Sequence, residues 1–358
     1  VRQGIPTEPI GSIPRPEGLL SVLRRVKEGR ASEAELEEQA KAATLETIRA
    51  LEATGSPVIS DGEQRKFAGF ATYPLSGLPN LAPDGFKIQF PGHVRTLPRL
   101  TAGPFRYGRS ADAFLATAMG QARVPVKQAV ISPSALSLLY PASELPGYPR
   151  ERFLEDLLDE HEREVRACLA LGAHAVQIDF TEGRLACRLD PSGGLLRSFV
   201  TLNNLALGRF SEAERSKIGI HTCPGSDGDE THSGDVDYAE LLPSLFQIDA
   251  GNFYVELAHE ADRRRVLGLI REHLRPRQRV FVGVIDVIDP RVETAEEVRD
   301  RVLEAAEFIP VDQLGTTDDC GFAPFCDDRS TSRETAFSKI RARVEGTALA
   351  AAALGLSS

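Results

Sequence analysis

The sequence predicts a parallel α/β fold, a (β/α)8 barrel of the TIM type, and three observations carry that prediction. Short apolar runs of strand length alternate with amphipathic stretches of helical length along most of the chain. No composition break resembling a linker divides the 358 residues, and that length suits one (β/α)8 catalytic barrel over residues 1–358 with insertions. Candidate metal ligands stand at or just past the ends of several apolar runs, where a barrel would gather them on one face.

In chain order the strand-like runs lie near residues 7–11, 57–60, 125–131, 174–179, 218–222, 252–256, 280–285 and 313–317. Amphipathic stretches fill most of the intervals: 31–53, 149–171, 195–210, 236–246, 260–274 and 295–308, with 331–354 closing the chain. Residues 67–110 are rich in Gly, Pro and aromatics and lack helical periodicity, which predicts a β-hairpin insertion after strand two. At a barrel mouth such an insertion serves as a lid or substrate wall.

A net charge of −10 and a pI near 5.4, with no basic stripe, argue against nucleic acid as a partner. No apolar stretch approaches membrane-spanning length, and the opening Val1-Arg-Gln-Gly-Ile-Pro6 does not read as a signal peptide. Five irregularly spaced cysteines in a long acidic chain fit reduced thiols, and hence a cytoplasmic protein, better than a disulfide framework.

The chemistry-bearing residues are His221 and Cys223 in Gly219-Ile-His-Thr-Cys-Pro-Gly225, Glu256 in Phe253-Tyr-Val-Glu-Leu257, and Cys320 in Thr317-Asp-Asp-Cys-Gly321. One nitrogen, two thiolates and a carboxylate meeting at a point suit Zn²⁺. That donor set gives zinc about one net negative charge, which makes it a poorer generator of hydroxide than an all-histidine site and better suited to holding an incoming thiol as a thiolate. The plainer reading of each piece is a buried structural cysteine or a chance His-x-Cys. Cys168 falls in a helical pattern and Cys187 among loop residues, so both read as structural or incidental. Cys326 follows Cys320 closely, but Cys320 comes directly off the strand end and is the preferred ligand. In the acidic run Asp227 to Asp237, His232 is a weak candidate for a general acid or gate, against a solvated loop in which Asp235 caps a helix starting near Val236. Arg263-Arg-Arg265 reads as an exposed helix face.

Taken together, Ile10-Gly-Ser-Ile-Pro14, Asp61-Gly-Glu63, Gln177-Ile-Asp179, His221-x-Cys223, Glu256, Gly283-Val-Ile-Asp286 and Asp319-Cys-Gly321 resemble the catalytic C-terminal barrel of cobalamin-independent methionine synthase. That barrel belongs to the wider group of zinc-dependent thiol alkyltransferases, and its fold is shared with uroporphyrinogen decarboxylase. The resemblance implies one zinc held by His221, Cys223, Glu256 and Cys320. It also implies an amino-acid pocket with Ile10, Gly11 and Ser12 near the substrate carboxylate and Glu63 and Asp179 near its ammonium. The residues agree: Ser12 follows a glycine at a strand end, where a backbone N–H and a hydroxyl reach a carboxylate together, and two carboxylates at one barrel face suit a cationic amine. The plain alternatives are a surface ion pair of Glu63 with Arg65 or Lys66 and a helix cap for Asp179.

Departures from the resemblance concern the donor. Methylfolate users of the family have a tryptophan that stacks on the pterin, and this chain contains none. They have a histidine proton donor in the strand-seven loop, where Asp286-Val-Ile-Asp-Pro290 places Ile288. Transfer from N5 of a folate needs that nitrogen protonated, because an uncharged tertiary amine leaves poorly. The amino-terminal half of the full-length synthase, which helps to cover folate, has no counterpart in the sequence. Where the family continues Gln-Ile-Asp with Glu-Pro, this chain has Phe180-Thr-Glu-Gly183. The expected activity is therefore thiol alkylation, with homocysteine as the model small-molecule thiol and a methylcorrinoid, a small methylated compound or another electrophile as donor. Alternatives are zinc-dependent cleavage of a thioether carbon–sulfur bond, a metal-free decarboxylase-like barrel, and a zinc protein without catalysis.

Overall fold

The computed structural model describes residues 4–356 except Ala68, residues 91–92, residues 224–235 and Asp327. His232 and Asp235 lie outside the described residues.

Six parallel strands form the central sheet: β5 (Gln128–Ile131), β6 (Val176–Asp179), β7 (Ile218–Thr222), β8 (Asn252–Val255), β9 (Arg279–Ile285) and β10 (Leu314–Asp318), each paired with its neighbour in chain order. All but Arg279 are buried along these strands, as expected when helices cover one face and a filled interior the other. The first two predicted strands are shorter than expected. Segment 7–11 makes one parallel bridge, Thr7 to Thr316 on β10, and segment 57–60 makes one, Ile59 to Val126 beside β5. The two segments are tied to each other by Ile13 N–H to Gly62 C=O at 3.0 Å and by Ser60 Oγ–H to Gly11 C=O at 2.6 Å. Eight extended segments thus follow one another around an axis in chain order, with point contacts in place of ladders at the first two.

A helix lies in each predicted helical stretch: α2 (Glu33–Glu52), α5 (Arg150–Ala170), α7 (Gly194–Leu207), α9 (Tyr238–Leu245), α10 (Arg263–His273), α11 (Ala295–Ala306) and α12 (Arg333–Ala353). α1 (Glu17–Lys27), α3 (Asp112–Met119), α4 (Pro133–Ser137), α6 (Glu182–Leu189) and α8 (Glu212–Arg215) are additions to the prediction. Cys187 is accordingly a buried residue of α6 and not a loop thiol, because the turn that opens α6 directly follows β6. α9 begins at Tyr238 with Asp237 as its cap, its carboxylate accepting from Ala239 N–H at 2.8 Å.

The stretch after segment 57–60 carries a hairpin of β2 (Lys87–Phe90) with β3 (His93–Thr96), flanked by the pairing of β1 (Leu81–Ala82) with β4 (Arg99–Leu100). Carboxylates spaced four apart on α5 hold its base. Glu164 accepts from Tyr73 O–H at 2.8 Å and Ala111 N–H at 2.7 Å, Glu160 from Tyr107 N–H at 2.9 Å, and Asp156 from Tyr148 O–H at 2.7 Å. Burial pushes Glu164 up to about 7, against hydrogen bonds that lower it. A carboxyl that binds its proton more tightly when folded contributes stability below its unfolded value, lost as pH rises through the folded one. Stability is therefore expected to fall between about pH 4.5 and 7 by up to about 3 kcal/mol from this group, and Glu164→Gln should flatten that slope in urea titrations run at several pH values.

Candidate metal and thiol site

Register brings the chemistry to one level. Asp179, the last residue of β6, stands opposite His221 on β7, which stands opposite Tyr254 on β8, so Glu256 emerges one residue past the paired end of β8. Cys320 leaves β10 two residues after its end. His221, Cys223 and Cys320 are buried, and one ligand atom from each lies within 4.8 Å of the others. The two sulfurs are 3.1 Å apart and both cysteines are reduced. His221 Nδ1 faces the Tyr254 carbonyl at 3.3 Å, which orients the ring, while its Nε2 is buried without a hydrogen-bond partner. A nitrogen lone pair and two thiols grouped out of solvent are the donor chemistry of a zinc site, and the unpartnered Nε2 is the observation that makes them fit one. Cys326 instead packs against the α1–α2 cluster of Leu19, Val22 and Leu36.

Glu256, expected as the fourth ligand, is buried next to this group but outside it. Its Oε2 lies 4.0 Å from the buried guanidinium of Arg184 and makes no hydrogen bond. Burial raises its pKa well above the ordinary carboxylate value, and Arg184 opposes the rise. Arg184 stacks over Tyr238 at 4.0 Å, and the Tyr238 hydroxyl donates to the Glu256 carbonyl at 2.9 Å.

Asp319, which precedes Cys320, does structural work that the sequence does not announce. Its Oδ1 accepts from Leu257 and Ala258 N–H, both at 2.9 Å, and its Oδ2 accepts from His259 N–H at 2.8 Å, so one carboxylate locks the turn after Glu256 to the turn before Cys320. Burial pushes Asp319 up to about 7 against those three bonds. Gly283 is required beneath it, since a Cβ there would stand 1.8 Å from Asp319 Oδ1. Gly321 has the same role against Ser12, whose Oγ would meet a Cβ at 2.0 Å and which accepts from Ala323 N–H at 3.2 Å.

A cavity of about 770 Å³ is lined by His221, Cys223, Cys320, Ile10, Ser12, Glu63 and Asp179 among others. Gly11 borders Glu63, with a Cβ position 3.5 Å from Glu63 Oε1. Glu63 holds a left-handed backbone, φ 56°, uncommon outside glycine and a mark of sites that hold a side chain in place. It is already paired: Lys66 Nζ donates to Glu63 Oε1 at 2.9 Å and to the Ala129 carbonyl at 3.1 Å. Both side chains are buried, so this is not the weak surface pair that sequence position offers as its plain alternative. Asp179 caps no helix. Its Oδ1 accepts from Gln177 Nε2 at 2.8 Å, and burial raises it to about 6, partly offset by His221.

Residues 125–347 match the family described as the catalytic domain of cobalamin-independent synthase. Methionine synthase of Saccharolobus solfataricus is 23% identical over 349 residues, covering 96% of this chain and 94% of that protein. Methionine synthase of Pyrococcus furiosus is 24% identical over 322 residues, covering 88% and 86%. A B12-independent methionine synthase from Shewanella sp. W3-18-1, solved in complex with selenomethionine, superimposes with a TM-score of 0.76 over 98% of this chain and 99% of that one at 20% identity, which shows the shared fold. With well over half of its 358 residues inside the family match, this chain belongs to the cobalamin-independent methionine synthase catalytic-domain family.

Proposed function

We propose that this protein alkylates an amino-acid thiol, with homocysteine as the reference substrate. The observation that carries the reading is the grouping of His221, Cys223 and Cys320 on the wall of a cavity that also holds Asp179 and Ser12. The relatives named methionine synthase support it. His221, Cys223 and Cys320 would hold zinc, with Glu256 the carboxylate that would complete the set. A zinc ion in such a sulfur-rich shell supplies a site where a thiol is kept as its nucleophilic thiolate near neutral pH.

The chain's own residues do the rest. Tyr254 C=O and Asp319 fix the ring of His221 and the turns bearing Glu256 and Cys320, so the donors are pre-oriented. Ser12 and its neighbouring backbone stand where a substrate carboxylate would dock. Because Lys66 neutralises Glu63, the charge that selects an ammonium falls chiefly on Asp179, whose burial cost a substrate cation relieves. Asp179→Asn is expected to weaken homocysteine by about 2 to 3 kcal/mol, tens- to hundreds-fold, and an amine-free analogue hardly at all, as read by calorimetry on zinc-loaded protein. Equal losses for both thiols would assign Asp179 to the scaffold.

The activity is tested by methionine formation from homocysteine under zinc-replete conditions with methylcobalamin, small methylated compounds and methyltetrahydrofolate as alternative donors. Methylfolate is expected to support little turnover, because the chain has no tryptophan to stack on a pterin and Ile288 where a histidine acid would stand. Absence of thioether with every donor would sink the reading.

A further inference from the structure

The cavity that holds the three metal-type donors is mostly apolar beyond its amino-acid end. Phe70, Leu81, Ile88, Leu97, Leu138 and Leu185 line it, the first four contributed by residues 67–110. The cation on the wall, Arg95, lies over the Phe325 ring at 4.2 Å with a nitrogen 3.9 Å from Asp328 Oδ1, so its charge is partly answered. Such a wall does not suit a polyanionic or strongly hydrogen-bonding donor.

One acid on that wall takes no part in thiol binding. Glu182, in the first turn of α6, is 5% exposed. Its Oε1 accepts from Ser132 Oγ–H at 2.5 Å and from Ser134 Oγ–H. Ser134 Oγ in turn accepts from Asn203 Nδ2–H at 2.8 Å, which ties this carboxyl into a buried polar chain. With Oε1 committed to two donors, a proton on this carboxyl resides on Oε2, which is buried without a partner. Burial pushes Glu182 up to about 7, against the serine hydroxyls, with Asp179 the charged neighbour adding to the rise.

Resting on the thiol-alkylating reading above, we infer that this cavity takes the alkyl donor as an uncharged, largely apolar molecule, and that the carboxyl group of Glu182 gives a proton to its leaving heteroatom. The thiolate sulfur forms the new carbon–sulfur bond with its lone pair. The carbon–heteroatom bond breaks with its electrons going to the heteroatom, and the Glu182 proton joins it, so that a thioether and a neutral alcohol, phenol or amine are released. The Glu182 carboxylate then regains a proton from solvent. Alkyl aryl ethers are donors of this class, since a phenol is a far better leaving group than a phenolate stranded in an apolar wall.

The test uses methyl, propyl and pentyl phenyl ether as probes, titrated by calorimetry into zinc-loaded protein without thiol. Each added methylene is expected to tighten binding about 3- to 4-fold, with the gain lost in Leu97→Asp. A flat series, or one unchanged in Leu97→Asp, overturns the apolar site. The acid is read by infrared difference spectra of wild type against Glu182→Gln, whose amide oxygen still accepts from both serines. A protonated-carboxyl band present at pH 6 and lost on raising the pH through 7 is expected, whereas a carboxylate already ionised at pH 6 overturns the acid role. Ether binding that persists while homocysteine never yields a thioether would retain the apolar site and remove the thiol reading instead.

Discussion

Replacing Cys320 with serine is expected to strip the protein of zinc and to lower thiol alkylation about 1,000-fold while the barrel stays folded. Loss of an outer partner of a metal ligand typically costs about 10- to 100-fold, and loss of a ligand more. Cys320 sits 3.1 Å from Cys223 in a buried pair, and serine offers a harder, protonated oxygen in the same volume. Cys326→Ser is the matched control, because that thiol packs on the α1–α2 cluster instead. Metal analysis, circular dichroism and turnover on the two variants separate the outcomes, and equal zinc content in both would assign the Cys223–Cys320 pair to the core.

Asp319→Ala is expected to cost about 4 kcal/mol of stability. Three backbone N–H groups, of Leu257, Ala258 and His259, lose their acceptor together, and each buried orphan donor costs about 1 to 3 kcal/mol, partly relieved by water entering the gap. Asp319→Asn should fall in between. Its oxygen can still serve Leu257 and Ala258, while its amide N–H would face the His259 N–H. Gly283→Ala should reproduce the alanine defect from the other side, since the added methyl occupies the place of Asp319 Oδ1. Denaturant titrations give the stabilities, and a loss under about 1 kcal/mol for Asp319→Ala would show that the turn is held by other contacts.

The strands of the central sheet were legible as short, apolar-rich segments of strand length buried on both faces, and α5, α10 and α11 because each keeps an apolar stripe over three turns or more. Segments 7–11 and 57–60 read as full strands yet make single bridges, because side-chain and loop contacts such as Ser60 to Gly11 take the place of a ladder. α4 is too short for periodicity to show, and α6, although as long as α9, opens with Thr181-Glu-Gly183 directly after β6, a sequence that reads as loop. His221, Cys223 and Cys320 stood out because soft ligands at strand ends are a local pattern. Arg184, Asp319 and Glu182 did not, because their roles depend on partners about 50 residues or more away, as Glu182 on Ser132 does; the pair of Lys66 with Glu63 was legible as near neighbours in sequence, but its burial was not. The one local signal for Glu182 was its position three residues past the end of β6.

The central claim is that a thiol joins zinc held by this chain's own nitrogen and sulfurs. Zinc K-edge absorption of the purified protein, recorded with and without homocysteine, tests it most directly. A shell of two sulfurs with nitrogen and oxygen that gains a third sulfur when homocysteine is added, and does not do so with homoserine, is the predicted result. A shell without sulfur, or one that homocysteine leaves unchanged, would contradict it.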